Sequence, residues 1–337
     1  MDILSFAILA AALLVGVGIG ANVASNSIGV IVGSGMMSFR KAAFLTSVFM
    51  LLGALLSGGA VTKTIGCDLM MEKSCPVDPA GAVYGIYEKG IALSALLAAI
   101  ILVSVATYLS IPVAMGHAMV GAIIGAIAAA GLFGGLDKSI ISGLIISWIS
   151  TPLMAIILAA VIYRYVVTPL SRGLGLIGFT QLFQLLLLAG SAFLAYSIGA
   201  NNVGNALGPL LGAAVLGDRL PAALMIGASM GVGASIFSRR VVDTVSKRIL
   251  SMGPTIAFTA QMAAALVIFL FAALGVPVSS TQAVIGGLVG VGLSKGMRTV
   301  NMRTMVYVLI GWVLTPVTAG LLSMVFYWLL SSLNMLI

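Results

Sequence analysis

The chain has 337 residues, of which 61% are apolar and only 7% are charged, and its mean hydropathy is +1.24. So few charges cannot cover the surface of a soluble domain, and the composition therefore predicts a protein whose solvent is the lipid bilayer. The formal net charge of +8 does not indicate a nucleic-acid-binding protein. The basic residues lie in short loops between apolar runs and form no stripe with interleaved aromatic residues.

Apolar runs, taken in chain order, predict an all-α polytopic membrane protein with about ten passes. The first run carries Asp2 and no basic leader, so it is interpreted as a membrane segment and not as a cleaved signal peptide. The first and sixth runs contain Gly/Asn-rich interruptions, and the short fourth and ninth runs open with a proline, which predicts broken or re-entrant helices near the midplane. The predicted passes cover residues 3–35, 42–62, 90–109, 112–131, 140–163, 176–212, 221–238, 253–275, 277–294 and 304–333.

The loops between these passes predict an orientation in the cytoplasmic membrane. If successive loops lie on alternate sides of the membrane, most basic residues fall on one side, together with a single acid, Asp243. The positive-inside rule assigns that side to the cytoplasm. Both termini then lie outside. Cys67 and Cys75 share an external loop, where they could form a disulfide or remain two thiols. The basic residues on the cytoplasmic side are Arg40, Lys41, Arg164, Arg172, Arg239, Arg240, Lys247, Arg248, Lys295, Arg298 and Arg303.

The second half of the chain repeats three motifs of the first half in the same order. Each half has five predicted passes, an odd number, so the second half is expected to sit upside down relative to the first. Two such units, residues 1–170 and 171–337, predict the inverted-repeat architecture of secondary transporters. The motif pairs are GANVASNSIG (20–29) with GANNVGNALG (199–208), IPVAMGHAMVGAIIG (111–125) with VPVSSTQAVIGGLVG (276–290), and WISTP (148–152) with WVLTP (312–316).

Polar residues in the first two motif pairs predict a binding site. Buried amides either bind a substrate or hold helices together, and five Asn in two matching motifs favour a site. A half-helix beginning after Pro277 would offer free N–H groups and hydroxyls to an anion, whereas the first copy offers only backbone and one His. The predicted substrate-binding residues are Asn22, Ser25, Asn26, Gly116, His117, Asn201, Asn202, Asn205, Ser279, Ser280, Thr281 and Gln282.

At these motifs the sequence resembles the inorganic phosphate transporter (PiT) family over nearly the whole chain. That family carries a doubled GANDVANA signature and two PVSTTHA-like segments. Here the signature Asp is replaced by Val23 and Asn202, the second His by Gln282, and a family Glu by Gln261. The resemblance implies transport of a tetrahedral oxyanion by a homodimer without a bound cofactor. It also makes His117 and Gln261 the candidates for coupling to H⁺ or Na⁺.

The missing carboxylates favour sulfate over phosphate as the substrate. Phosphate near neutral pH carries a proton and gains from an acceptor such as a carboxylate, whereas sulfate has no proton and suits a site of donors alone. The sequence therefore predicts a sulfate importer, coupled to H⁺ through His117 or, less favoured, to Na⁺. In this respect it resembles the sulfate permease branch of the PiT family. A divergent phosphate symporter and an anion channel remain alternatives. An intramembrane enzyme is disfavoured, because the passes lack an Asp pair, a Ser–His arrangement and a metal cluster.

Overall fold

The structure, a computed structural model, describes residues 2–70, 87–173, 175–249, 253–296, 302–333 and 335. Over these residues the regular elements are helices, and the only other pairing is a single bridge between Met70 and Leu136. Within the same ranges, 8 helical stretches are long and apolar enough to cross a membrane. The prediction of an all-α polytopic membrane protein is confirmed.

The helix bounds follow the predicted passes closely. Two helices were not predicted: Thr168–Arg172 (α8) is a short helix within a predicted loop, and Arg239–Ile249 (α11) has a polar sequence that carries no apolar run. Two π-helical segments, Thr64–Asp68 and Tyr163–Val167, follow the helices Gly59–Lys63 and Lys138–Ile162. The helices are α1 (Ile3–Asn22), α2 (Ser25–Gly33), α3 (Phe39–Ser57), α4 (Gly59–Lys63), α5 (Lys89–Tyr108), α6 (Met115–Ala129), α7 (Lys138–Ile162), α8 (Thr168–Arg172), α9 (Leu176–Gly212), α10 (Arg219–Ile236), α11 (Arg239–Ile249), α12 (Gly253–Ala273), α13 (Ser280–Ser294) and α14 (Met302–Ser332).

Helices α6 and α13 are the short, proline-preceded helices that the sequence predicted. Each has 15 residues, and at 1.5 Å per residue each is about 22 Å long, less than the roughly 30 Å of a hydrocarbon core. Non-helical segments at residues 111–114 and 276–279 lead into them. Both short helices therefore begin inside the apolar bundle. Re-entrance into the membrane stays a prediction.

The sixth pass differs from its prediction, because it is one unbroken helix. The first pass is interrupted between α1 and α2, where the Ser25 hydroxyl donates to the Asn22 carbonyl. In contrast, α9 runs through its Gly/Asn-rich motif for 37 residues. The Asn202 amide donates to the Ile198 carbonyl one turn earlier, at 3.0 Å. This bond from a side chain to a backbone carbonyl leaves the backbone hydrogen bonds of the helix in place. Polar residues in a helical run therefore do not by themselves indicate a break in the helix.

The first glycine of each GAN motif allows two helices to approach closely. A Cβ at Gly20 would overlap the Met230 carbonyl, and a Cβ at Gly199 would overlap the Met50 carbonyl. Helix α1 therefore packs against α10, and α9 packs against α3, through backbone contact. Small residues at helix contacts are the usual means of close packing in membranes.

The short helices pack in a matched way against the long helices of the opposite half. Gly121 of α6 packs against the Pro316 carbonyl of α14, and Gly286 of α13 packs against the Pro152 carbonyl of α7. These four residues occupy equivalent positions in the repeated motifs. The opposite orientation of the two halves in the membrane stays a prediction.

Part of the predicted external loop is well packed. Cys67 is buried and disulfide-bonded, and Cys75, the other cysteine of the chain, lies outside the described residues. The Tyr87 hydroxyl donates to the Ile65 carbonyl. Burial raises the pKa of the Tyr87 phenol, so this hydroxyl remains a donor at any physiological pH.

Candidate functional site

Asn22 and Asn201, the asparagines of the two GAN motifs, hold the segments that precede the short helices. The Asn201 amide donates to the Val278 carbonyl at 2.7 Å and accepts from the Val278 N–H at 3.1 Å. The Asn22 amide accepts from the Val113 N–H at 2.9 Å and donates to the Ile111 carbonyl at 3.0 Å. Both were predicted to bind substrate, but their polar atoms are already occupied by backbone partners.

Five of the predicted residues form what we call the amide–hydroxyl cluster: Asn26, Asn202, Asn205, Ser280 and Thr281. The Asn202 amide donates to the Ser280 hydroxyl at 3.0 Å, and the Asn26 amide donates to the Thr281 hydroxyl at 3.3 Å. The Asn205 amide donates to the Asn202 carbonyl oxygen at 3.2 Å. All five side chains are buried. Helices α2, α9 and α13 thus supply a polar centre without an ionisable side chain.

The N-terminus of α13 lies at this cluster. Ser279 caps the helix by accepting from the Gln282 N–H at 3.3 Å. In the part of the chain that the structure describes, the N–H groups of Ser280 and Thr281 have no acceptor. Gly116, at the start of α6, faces the Val278 carbonyl, so the two short helices begin side by side. A helix start with unsatisfied N–H groups and a positive dipole end favours an anion.

One acceptor in the cluster has no donor. Asn202 uses its amide nitrogen for both Ile198 and Ser280, so its oxygen must face the amide nitrogen of Asn205. This arrangement fixes the amide orientation of Asn205 and leaves its Oδ1 buried with no hydrogen-bond partner. A buried acceptor without a donor is costly, and it marks a place where a ligand can supply one.

His117 and Gln282 face a different cavity, between α7 and α14. It has a volume of about 550 Å³ and a mainly apolar lining that includes Trp148 and Trp312. Pro316 has no N–H and therefore frees the Trp312 carbonyl one turn earlier, and the His117 Nδ1 lies 3.5 Å from that oxygen. The His117 ring stacks on Trp148, with centroids 4.1 Å apart.

The polar atoms of these two residues are only partly satisfied. A carbonyl can only accept, so the geometry places the His117 proton on Nδ1 and leaves Nε2 as an acceptor. Both the His117 Nε2 and the Gln282 Oε1 are buried without a partner. The structure therefore divides the predicted site residues between the amide–hydroxyl cluster and this second cavity.

Gln261 and Ser25 take positions in the supporting framework. The Gln261 side chain lies 2.8 and 3.0 Å from the Ser191 hydroxyl, and the Ser27 hydroxyl donates to the Ser191 carbonyl at 3.0 Å. Ser25 bonds the Asn22 carbonyl, as described above. Ser191 was not predicted, because a single Ser within an apolar run gives no signal of its partners.

Three comparisons place this chain among known proteins. The model of the phosphate transporter family matches residues 19–172 and 177–323. A relative from Methanocaldococcus jannaschii, provisionally named as a phosphate permease, is 26% identical over 309 residues, which is 91% of each chain. The chloroplastic inorganic phosphate transporter 2-1 of Arabidopsis thaliana is 24% identical, and the alignment covers 98% of this chain and 73% of that protein.

A solved structure described as the sodium-dependent phosphate transporter has the same fold. Its TM-score is 0.83 at 23% identity, with 98% of this chain and 99% of that chain covered. These names refer to phosphate, and the predicted sulfate permease branch finds no support in them. Because the family model matches most of its length, this chain belongs to the phosphate transporter family.

Proposed function

We propose that the protein is a cation-coupled importer of inorganic phosphate, and that phosphate binds at the amide–hydroxyl cluster. The observation that carries this proposal is the buried start of α13, where two N–H groups and the hydroxyls of Ser280 and Thr281 converge with the amides of α2 and α9. Hydroxyl hydrogens and helix N–H groups are donors for the oxyanion oxygens.

The unpaired Oδ1 of Asn205 favours phosphate over sulfate. Near neutral pH, phosphate retains a P–OH group that can donate to this oxygen, whereas sulfate has no hydrogen to donate. A site built to receive a hydrogen bond discriminates against a ligand that lacks the donor, because the buried acceptor is then left unpaired. A neutral amide oxygen thus supplies the acceptor that a carboxylate would otherwise provide for the P–OH group. The printed names of the relatives also support phosphate.

Sulfate is the second candidate, and the absence of acids favours it. The cluster has no carboxylate, and the positions of the family acids hold Val23, Asn202 and Gln261. A dianion without protons is not repelled by such a neutral site. Sulfate would, however, leave the Oδ1 of Asn205 without a donor.

Coupling to cations follows from the membrane potential. Moving a dianion into a negative-inside cell costs about 4.6 kcal/mol at ~100 mV, from roughly 2.3 kcal/mol per charge. Uphill import of a dianion therefore needs at least two co-transported positive charges. His117, with its unpaired Nε2, is the proposed proton carrier. Sodium is the alternative, since neutral carbonyl oxygens can coordinate it.

The proposed mechanism is alternating access between two inverted units, residues 1–170 and 171–337. The matched backbone contacts of Asn22 and Asn201 support equivalent roles for the two halves. An anion channel would instead need a continuous polar path, and the cluster is buried among helices. Saturable uptake that follows an ion gradient separates the two.

Equilibrium binding to the purified protein tests the assigned site. Labelled phosphate should bind saturably, with sulfate as a weak competitor, and Asn205→Ala should lose most of the preference for phosphate. Ser142→Ala, an exposed substitution on α7, serves as the control. Equal competition by both anions in the wild-type protein would overturn the role given to Asn205.

A further inference from the structure

The segment that follows α7 contains an irregularity that the transport proposal does not use. Residues Tyr163–Val167 form a π-helical turn that leads into α8. Pro169 has no N–H to bond the Tyr165 carbonyl, and the Thr168 hydroxyl donates to the Tyr163 carbonyl at 2.8 Å, five residues back. Widened turns of this kind interrupt a regular helix and often lie at functional sites.

A basic cavity lies beside this turn. It has a volume of about 630 Å³, and it is lined by Tyr163, Arg164 and Tyr165 from the π-helical turn and by Ser294 and Lys295 from the end of α13. The Lys295 Nζ lies 5.7 Å from the centre of the Tyr163 ring, and the Arg164 Cζ lies 5.9 Å from that of Tyr165. Over the described ranges, neither cation forms an ion pair with a carboxylate.

An apolar strip continues from the cavity along α7. Ala160 and Val161 line the cavity itself, and Ile157, one turn before Val161, is 64% exposed. Two cations next to an exposed apolar strip match a ligand that combines an anionic phosphate group with hydrocarbon. A free phosphate ion would use the cations but not the strip.

We propose that this cavity binds the phosphate of an anionic phospholipid, with an acyl chain lying along Ile157 and Val161. Arg164 and Lys295 both fall on the side that the positive-inside rule makes cytoplasmic, where anionic lipids are concentrated. Basic pockets between membrane helices on that side are suited to such headgroups, and Tyr rings favour the same interfacial depth. The site is separate from the amide–hydroxyl cluster and does not depend on the transported anion.

Native mass spectrometry of the full-length protein tests this proposal. The protein is purified in detergent and exposed to equal amounts of phosphatidylglycerol and phosphatidylcholine. The double variant Arg164→Gln/Lys295→Gln removes the two cations, and Lys41→Gln/Arg240→Gln removes the same charge elsewhere on the predicted cytoplasmic side. Each basic group near a membrane surface contributes to the binding free energy of an anionic lipid. The loss of two such groups should therefore weaken retention of phosphatidylglycerol about tenfold or more.

The expected result is retention of phosphatidylglycerol over phosphatidylcholine by the wild-type protein and by the control pair, and its loss in Arg164→Gln/Lys295→Gln. Millimolar inorganic phosphate, added alone, should not displace the lipid. Equal retention of both lipids by the wild-type protein would overturn the proposal. An equal loss in the control pair would also overturn it, since net charge would then explain the effect, and displacement by phosphate would mean that the cavity binds a free anion.

Discussion

Asn201 binds both backbone polar groups of Val278, donating to its carbonyl at 2.7 Å and accepting from its N–H at 3.1 Å. Asn22 accepts from the N–H of Val113, the equivalent residue of the first half, at 2.9 Å. Non-helical backbone inside a membrane protein needs such partners, because no bulk water can replace them. The GAN motif and the Pro-Val segment are therefore one structural unit, which holds each short helix in place.

Removing this contact should destabilise the protein and displace α13. We expect Asn201→Ala to lower the free energy of unfolding by about 1–3 kcal/mol, the cost of leaving buried backbone groups unpaired. Uptake should fall as well, because Ser280 and Thr281 follow directly. Thermal unfolding in detergent together with uptake assays measures both effects. Wild-type stability in Asn201→Ala would contradict the structural role of the amide.

Substitutions at the two helix starts should have unequal effects. Ser280→Ala and Thr281→Ala each remove a hydroxyl that faces the proposed anion, and a hydrogen bond to a charged group contributes about 1.5–3 kcal/mol, or roughly tenfold or more in affinity. Met115→Ala and Ala114→Ser alter the start of α6 and the residue before it, where neither native side chain carries a hydroxyl. Uptake measured over a range of phosphate concentrations should show a higher KM only for the first pair. Similar KM changes at both helix starts would refute the asymmetric site.

A carboxylate at position 202 should separate the two candidate anions. Asn202→Asp would repel sulfate, whereas it could accept a hydrogen bond from the P–OH of phosphate. We expect the ratio of phosphate to sulfate binding to rise, as measured by competition in equilibrium binding. An unchanged ratio would show that the ligand does not approach residue 202.

Substitution of His117 tests the proposed proton route. His117→Gln places at this position the residue that stands at the equivalent position 282, so the exchange suits the surrounding fold. Because Gln cannot carry a proton, the pH dependence of phosphate uptake should flatten to what the ionisation of phosphate itself causes, while uptake remains saturable. The measurement is initial uptake across a wide range of pH. A pH profile identical to that of the wild-type protein would remove His117 from the coupling mechanism.

Glycine substitutions test the helix packing. Gly199→Ala would place a methyl group against the Met50 carbonyl, whereas Gly143→Ala on α7 meets nothing within 4 Å. We expect Gly199→Ala to lower the unfolding temperature in detergent, because two backbones must separate. Gly143→Ala should be neutral or slightly stabilising, since Ala is the better helix former. Equal unfolding temperatures would contradict the contact between α3 and α9.

Apolar runs predicted most of the fold, because the bilayer requires long apolar helices and the prolines before α6 and α13 limit where these can begin. The unbroken α9 was not predictable in the same way. Its polar motif resembles the interrupted one of the first pass, but Asn202, which stands where the first pass has Val23, bonds the Ile198 carbonyl within the helix.

The sequence motifs predict which residues belong to the candidate site, but not how the structure divides these residues between two places. The sequence motifs predict the five asparagines and the Ser-Ser-Thr segment as site residues. Only the structure shows that the Asn201 side chain is hydrogen-bonded to the backbone of Val278, 77 residues away. Nor does the sequence show that His117 turns towards Trp148 and the Trp312 carbonyl. The unpaired oxygen of Asn205 depends on the orientations of its neighbours, which no sequence pattern specifies.

The most direct test of the account is uptake by the protein reconstituted in liposomes, with labelled phosphate or labelled sulfate under an imposed proton or sodium gradient. We predict saturable, gradient-driven accumulation of phosphate that sulfate inhibits only weakly, with the effective gradient identifying the coupling ion. Gradient-driven accumulation of sulfate, with phosphate neither transported nor inhibitory, would contradict the assignment and identify a sulfate carrier with a neutral site.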